Sequence, residues 1–357
     1  MKLIKDLDLK NKRVLVRVDF DLPIDGKGKI NDIFRLKESL PTINYLLKQK
    51  CKIILISHLG RPDEKKIEKL SLKPVAKILS GFLKRKVLFA SNPGKMNFGD
   101  VLLLENIRFN KGEEKNDPKF AKNLAKLGDI YINDAFAVSH REHASIVGIP
   151  RFLPSVVGFC FEKEMKELNK ILINSRRSLI AIMGGAKLET KIKIINKFLK
   201  IADKVLIGGA LANTILACRG NDLGDSIVEK KLFKEVRKFI GNHKLFLPID
   251  LKIKNRKALD IGPKTIKLFC TLIKNAKTIV WNGPMGLIEQ KSFAIATKEL
   301  IDCIAKSKAY SIVGGGDTIA FINQIKKEKV FDHISTGGGA MLDYLAHDTL
   351  PGIEALK

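Results

Sequence analysis

The sequence is poor in cysteine and has no long apolar stretch, and each shortage excludes a class of protein. Its five cysteines are scattered and form no Cys-x-x-Cys pair, which argues against a disulfide framework or a zinc site and predicts reduced thiols. They are Cys51, Cys160, Cys218, Cys270 and Cys303. No apolar run approaches the roughly 20 residues that span a bilayer, and the first residues lack the apolar core of a signal peptide. These absences predict a cytoplasmic protein.

Acidic residues are also scarce relative to basic ones. The chain has 38 aspartates and glutamates against 65 lysines and arginines, and its formal net charge is +27. Such a charge is typical of proteins that bind nucleic acid or a membrane surface. The lysines, however, are spread over the whole chain, and aromatic residues make up only 7% of it. We interpret the charge as a solvated surface that suits anionic substrates, and we keep a nucleic-acid-binding protein as an alternative.

Short apolar runs alternate with helical patterns in both halves of the chain, whose 357 residues are enough for two domains. The predicted strands are 14–18, 53–56, 87–89, 101–104 and 130–133, then 179–183, 204–207, 244–247, 278–281 and 310–313. Helical patterns at 36–48, 73–83 and 117–127 indicate parallel βαβ units. The predicted fold class is α/β, with two doubly wound parallel-sheet (Rossmann-like) domains.

An amphipathic pattern at 161–173 falls between the two halves, with no linker rich in glycine or serine beside it. A helix rather than a flexible linker is therefore expected to join the domains. The predicted boundaries are a first domain of residues 1–157, an inter-domain helix of residues 158–176 and a second domain of residues 177–340.

Glycine pairs or triplets follow four short apolar runs, at 184–185, 208–209, 314–316 and 337–339. Glycine leaves no side chain to block a ligand, and the N–H groups of a helix that starts there favour anions. Ligands of an open parallel sheet lie outside the carboxyl ends of its strands. The four turns therefore predict a nucleotide site, where Asp317 can cap a helix or hold Mg²⁺ against a phosphate.

Arginine is distributed differently from lysine. Five arginines lie beside strand ends or turns in the first half: Arg17, Arg35, Arg61, Arg108 and Arg141. Lysine is the commoner cationic residue in this chain. Arginine at these positions therefore indicates a need for a planar guanidinium group, which offers several hydrogen-bond donors. They predict a site for a small, multiply charged anion. His140 and His143 lack a third ligand cluster, so we interpret them as hydrogen-bond donors or core residues rather than metal ligands.

Taken in order, a set of short strings resembles the phosphoglycerate kinase family almost from end to end. The strings are Val16–Phe20, Ser57–Pro62, Leu103–Phe109, Asn133–Phe136, Gly184–Lys187, Asp260–Thr265, Trp281–Pro284, Gly314–Thr318 and Ser335–Ala340. Each string is weak alone, but the ordered set is specific. The resemblance implies two doubly wound domains that face each other across a cleft, with a C-terminal segment, 341–357, that returns to the first domain.

The resemblance also implies phosphoryl transfer between 1,3-bisphosphoglycerate and ADP, giving 3-phosphoglycerate and ATP, with Mg²⁺ and with ATP or ADP as co-substrate. The implied phosphoglycerate-binding residues are Asp19, Phe20, Asp21, Arg35, His58, Leu59, Gly60, Arg61, Arg108 and Arg141. The implied nucleotide-binding residues are Lys187, Lys191, Gly208, Gly209, Asn282, Pro284, Glu289, Gly314, Gly315, Gly316, Asp317 and Thr318. Arg35, Lys191 and Gly338 are the implied catalytic residues. Glu289 would hold the ribose, and Asp317 the metal-bound phosphates.

The chemistry implied by the resemblance needs no general base, because the acceptor carboxylate is already ionised. It needs positioning and neutralisation of charge, which Arg35 and Lys191 can supply once the cleft closes and water is expelled. Lys187 and Lys191, four residues apart, are predicted to share one face of the helix that opens there. A monomer is expected, and another ATP-dependent carboxylate kinase is the alternative enzyme.

The sequence departs from the family pattern at a few positions. Asp21 stands where the family usually has asparagine, and a carboxylate there would repel an anionic substrate unless a neighbouring cation compensates. Glu189-Thr190 replaces the usual pair before Lys191, and Ala296 and His347 stand in place of glycines. The connections at 92–99 and 252–257 are short. None of these changes removes an arginine or lysine assigned to the site.

Overall fold

The structure is a computed structural model that describes residues 2–25, 29–30, 32–173 and 175–357. The chain divides into two compact units. Unit 1 contains the residues up to Lys166 together with Thr349–Lys357, and unit 2 contains Glu167–Asp348.

Unit 1 is built on a six-stranded sheet whose neighbouring strands all run parallel. Its elements are β1 (Arg13–Arg17), α1 (Phe34–Lys48), β2 (Lys52–Ile56), α2 (Lys73–Leu83), β3 (Val87–Ala90), β4 (Val101–Leu104), α3 (Lys111–Glu114), α4 (Pro118–Ala125), β5 (Ile130–Asn133) and β6 (Ser155–Val157). The strand order is β3-β4-β2-β1-β5-β6. Successive residues Val14, Leu15 and Val16 are all fully buried. Side chains of successive strand residues point to opposite faces, so both faces of the sheet are covered, which is why the strands are continuous apolar runs.

The next helix is α5 (Phe159–Leu172), and unit 2 contains a second six-stranded parallel sheet. Its elements are β7 (Leu179–Met183), α6 (Ile192–Ile201), β8 (Lys204–Ile207), α7 (Gly209–Cys218), α8 (Phe233–Arg237), β9 (Leu245–Phe246), β10 (Leu251–Lys254), β11 (Lys257–Ile261), α9 (Pro263–Lys274), β12 (Thr278–Asn282), α10 (Ile295–Lys306), β13 (Tyr310–Gly314), α11 (Gly316–Gln324), β14 (His333–Ile334) and α12 (Gly338–His347). The order is β14-β13-β12-β7-β8-β9, and β10 and β11 form a separate antiparallel hairpin. Beyond α12, the short helix α13 (Pro351–Glu354) belongs to unit 1.

The division between the units falls inside α5, which is continuous. Its N-terminal half is held in unit 1, where the Asp134 carboxylate accepts the N–H of Cys160 at 2.9 Å. Its C-terminal half is held in unit 2, where Tyr344 Oη donates to Asn169 Oδ1 at 2.7 Å. The segment that returns to unit 1 begins at Thr349, whereas the sequence suggested residue 341. Helix α12 stays in unit 2, and Asp348 just beyond it pairs there with Lys197 at 2.7 Å.

The predicted fold class, with two parallel α/β sheets, is confirmed. The sequence did not predict the edge strands β6 and β14 or the β10–β11 hairpin, which are short and carry little periodic signal. In the described part of the chain, no helix combines the length and the apolar character that a membrane span requires.

Two cysteines are paired, which corrects the expectation of reduced thiols. Cys270 on α9 and Cys303 on α10 form a disulfide, with their Cα atoms 5.6 Å apart. Helices α9 and α10 pack against each other and bring together residues that are 33 positions apart in sequence. No local spacing signals such a pairing. Cys51, Cys160 and Cys218 are free thiols, as expected.

Reduction of the Cys270–Cys303 disulfide is expected to lower the free energy of unfolding of unit 2. The bond closes a loop that spans 33 positions, and restricting the unfolded chain in this way is worth about 2–4 kcal/mol. Thermal unfolding with and without dithiothreitol measures the effect. Cys218→Ser, which removes a free thiol of the same unit, is the control and should respond to the reductant like the wild type. An unchanged unfolding midpoint after complete reduction would contradict the prediction.

Candidate functional site

The rim at the carboxyl ends of the unit 1 strands brings together residues that are far apart in sequence. Arg35 from α1 places its Nη1 3.1 Å from Asp19 Oδ2 and donates to the Asp21 main-chain carbonyl at 3.0 Å. His58, which follows β2, has its Nδ1 3.9 Å from Asp19 Oδ1. Arg108, which follows β4, donates from Nη1 to the Gly60 carbonyl at 2.8 Å. Three strand ends and one helix therefore build a single polar rim, because parallel strands end at the same edge.

The positive charge of this rim comes from arginine rather than histidine. Burial, and then the charge of Arg17, lowers the pKa of His58 well below its usual range. Burial also lowers the pKa of His143 to about 4, and Arg108 acts in the same direction. Both imidazoles are therefore neutral at pH 7. Burial raises the pKa of Asp19, and the Arg35 guanidinium opposes that rise.

The rim arginines differ in how far they are free to bind a ligand. Arg61 and Arg141 are exposed, and neither forms an ion pair with a described residue. Arg108 is mostly buried, and its Nε lies 3.0 Å from Glu114 Oε1. Arg35 is partly buried and shared between Asp19 and Asp21. Exposed and partly exposed guanidinium groups at one edge are suited to a multiply charged anion.

Three other residues named from the sequence lie in the interior of unit 1. Arg17 is fully buried, and its Nε donates to Ser145 Oγ at 2.8 Å. Ser145 in turn donates to the buried carboxylate of Glu113 at 2.6 Å. The side chains of Phe20 and Leu59 belong to the hydrophobic core, so their main-chain atoms are the groups that can face a ligand. The sequence showed no sign of the Arg17–Ser145–Glu113 network, because Ser145 lies 128 positions from Arg17 and 32 from Glu113.

In unit 2 the glycine turns meet at one edge of the sheet. Gly184 N–H donates to Asn282 O at 2.9 Å, Gly185 N–H to Pro284 O at 2.8 Å and Gly209 N–H to Met285 O at 2.8 Å. A Cβ on Gly209, whose φ is +61°, would lie 2.7 Å from Gly185 N. A side chain at this position would force the turns after β7 and β8 apart.

The turns after β13 and β14 meet in the same way. Gly315 has a φ of +102°, which favours glycine, and a Cβ on Gly338 would lie 2.7 Å from the Gly315 Cα. Helices α7, α11 and α12 start at Gly209, Gly316 and Gly338. Their N-terminal N–H groups carry partial positive charge, and such groups form anion sites.

A cavity of about 260 Å³ opens beside these turns within unit 2. Its walls are largely apolar and come from Ile227, Leu251, Leu259, Met285 and Ile288. Gly209, Pro284, Glu289 and Asp317, which the sequence had named, line the same cavity. An apolar slot with a few polar groups is typical of a small-molecule site. The hairpin residues of its wall were missed because β10 and β11 were not predicted.

The sequence had suggested that Lys187 and Lys191 share one helical face, but they do not. Helix α6 begins at Ile192, so both lysines precede it. Lys187 is exposed, whereas Lys191 Nζ points into the glycine turn and donates to Gly184 O at 2.5 Å. Burial lowers the pKa of Lys191 to about 8, and the Asp317 carboxylate opposes this effect. Lys191 is therefore the lysine placed among the turns.

Two buried polar atoms at the turns have no hydrogen-bond partner among the described residues. They are Asn282 Nδ2 and Thr318 Oγ1, and both can donate to a phosphate. The described residues include no cluster of three or more histidine, cysteine, aspartate or glutamate side chains that could hold a metal. Mg²⁺ beside a nucleotide needs only one or two carboxylates, because the phosphates supply further oxygens. Asp317, exposed in the first turn of α11, fits that donor set.

Comparison with known proteins gives a uniform result. The family model described as phosphoglycerate kinase matches residues 4–348. The phosphoglycerate kinase of Pseudothermotoga lettingae is 43% identical, with 99% of this chain and 98% of that protein covered. The one from Clostridium kluyveri is also 43% identical, with 100% and 98% covered. The solved structure of phosphoglycerate kinase from Coxiella burnetii has a TM-score of 0.87 at 36% identity, covering 99% of this chain and 98% of that one. The structure from Pyrococcus horikoshii OT3 has a TM-score of 0.88 at 33% identity, covering 100% and 98%.

Proposed function

Because this chain belongs to the phosphoglycerate kinase family, we propose that it transfers a phosphoryl group reversibly between 1,3-bisphosphoglycerate and ADP, giving 3-phosphoglycerate and ATP. It is a glycolytic kinase whose acceptor is a carboxyl group, and ATP or ADP is its co-substrate. The family match over residues 4–348 carries this conclusion. The geometry of the two units supports the assignment of one substrate to each.

The phosphoglycerate is assigned to the rim of unit 1. A small molecule with a phosphate at one end and a carboxylate at the other needs several cations, and Arg35, Arg61, Arg108 and Arg141 supply them. Their planar forks can bind an oxyanion through two parallel hydrogen bonds. His58, neutral at pH 7, contributes a hydrogen bond rather than a charge. Asp19 is an acceptor for the substrate hydroxyl.

The nucleotide is assigned to unit 2. The apolar cavity accommodates the base, and Glu289 at its wall is an acceptor for the ribose hydroxyls. The N–H groups at the start of α11 face the phosphates, and Lys191 adds a positive charge beside them. We further propose that Asp317 holds Mg²⁺ together with the phosphate oxygens, and the ion would neutralise part of their charge.

The residues of the chain act by positioning and charge neutralisation. The attacking oxygen belongs to a carboxylate that is ionised at neutral pH, so no residue has to remove a proton. Arg35 and Lys191 stabilise the negative charge on the phosphoryl oxygens, and the N–H of Gly338 at the start of α12 can donate to them. Preorganised donors of this kind act without reorganising during the reaction.

A coupled assay with ATP and Mg²⁺ tests the function. We expect turnover with 3-phosphoglycerate and background rates with acetate and aspartate, because these lack the phosphate that the arginines bind. Chelation of Mg²⁺ should stop the reaction. Faster turnover with acetate or aspartate would identify a different carboxylate kinase, and tight, salt-sensitive binding of nucleic acid without turnover would favour a binding protein.

We also propose that the protein acts as a monomer in the cytoplasm. The large apolar side chains that are exposed come from separate positions in both units, among them Phe82, Phe98, Ile227 and Ile253. Exposed apolar residues are common on the surfaces of monomeric proteins, so the presence of these side chains is compatible with the proposed monomer.

A further inference from the structure

Asp21 is a carboxylate on the unit 1 rim whose role the proposed reaction does not require. Its Oδ1 accepts the N–H of Gly60 at 2.8 Å. Its Oδ2 lies 4.0 Å from Arg35 Nη1 and 3.7 Å from His58 Nε2. The side chain is 37% exposed, so it faces both the rim and solvent. Asp21 therefore contacts the same donors that an anionic ligand would use.

The charges around Asp21 do not balance locally. Asp19 and Asp21 both lie against Arg35, which carries one positive charge. His58 adds none, because burial and Arg17 lower its pKa well below its usual range. Burial lowers the pKa of Arg108, and the Asp21 carboxylate opposes that effect, but Arg108 Nε already lies 3.0 Å from Glu114 Oε1. Two carboxylates therefore share one guanidinium at the place where an anion should bind.

We propose that Asp21 is a built-in competitor of the anionic substrate and sets the affinity of this rim for phosphoglycerates. In the free protein its carboxylate accepts the Gly60 N–H and neutralises part of the positive charge of Arg35. A phosphate or carboxylate that binds there meets a like charge, which weakens its binding. This inference rests on the proposed function, because it assigns phosphoglycerate to unit 1.

The test is the isosteric substitution Asp21→Asn. An asparagine keeps an Oδ1 that accepts from Gly60 N–H, so the turn is preserved while the negative charge is removed. We expect the KM for 3-phosphoglycerate to fall on the order of tenfold at low ionic strength, because a like charge close to the bound anion is lost. The change should be larger in KM than in kcat, and the inhibition constant of inorganic phosphate should fall with it.

Salt separates a charge effect from a structural one. The ratio of wild-type to variant KM should shrink as the salt concentration rises toward about 0.5 M, because screening weakens interactions between exposed charges. A purely structural effect would not follow ionic strength. Asp63→Asn is the matched control, since Asp63 is an exposed carboxylate of the same unit without an ion pair to any described residue. Its KM should equal that of the wild type.

The outcomes distinguish this inference from the function on which it rests. An active wild type whose Asp21→Asn variant has an unchanged or higher KM would overturn the inference alone. A higher KM would also make the carboxylate a ligand for the substrate. A lower KM in the variant would also overturn the inference if the ratio of wild-type to variant KM did not change with salt. A wild type with no activity toward 3-phosphoglycerate would overturn the proposed function and the inference together.

Discussion

Arg35→Ala is expected to reduce turnover by about 10²–10³-fold, as the loss of a single charge-stabilising donor does in other enzymes. Arg35 lies at the centre of the unit 1 rim, where its Nη1 contacts both Asp19 and the Asp21 carbonyl. It is 29% exposed, so part of its guanidinium remains available to a ligand. Measurement of kcat and KM in the coupled assay tests the effect. Near-normal turnover would remove Arg35 from the mechanism.

A loss of folding must be separated from a loss of catalysis in this variant. Without Arg35 the buried Asp19 carboxylate loses its cation, and burial already raises its pKa. A raised carboxyl pKa destabilises the folded state once the pH exceeds the pKa of the unfolded chain, and the deficit shrinks on acidification. Thermal unfolding at two pH values therefore reports the structural part. Arg13→Ala, which breaks an exposed ion pair with Asp129 at 2.6 Å, is the control and should retain turnover.

Lys191→Ala is expected to lower turnover by a similar factor of about 10²–10³, and the pH profile identifies the charge responsible. Burial lowers the pKa of Lys191 to about 8, so the cation is present below pH 8 and is lost as the pH rises through that value. The kcat/KM for ADP, which reports the free enzyme, should therefore fall above about pH 8. Bound phosphate stabilises the cation, so the corresponding fall in kcat should occur at higher pH.

Two further variants test this assignment to Lys191. Lys191→Arg keeps a positive charge that does not titrate below about pH 12, so any remaining activity should no longer fall near pH 8. Lys187→Arg keeps Lys191 and should show the wild-type profile. A fall near pH 8 that persists in Lys191→Arg would assign the titration to another group.

The features predictable from the sequence are those that local pattern encodes. The strands of both sheets are short apolar runs because they are buried on two faces, and the glycine turns follow them because backbones meet there. The features that were missed depend on contacts between distant residues. The Cys270–Cys303 pair joins two helices, the buried Arg17 donates to Ser145, and the unit 2 cavity is lined by a hairpin with weak periodicity.

The location of α13 has a consequence for how the protein is made. Gly352 in α13 donates its N–H to Ser139 O at 2.8 Å, and Ile353 and Leu356 are buried in unit 1. Unit 2 has all of its residues once Asp348 has been translated, but unit 1 still lacks Thr349–Lys357 at that point. The half of the molecule that leaves the ribosome first is therefore the half whose native contacts are completed last, although domains generally fold from the N-terminus during synthesis.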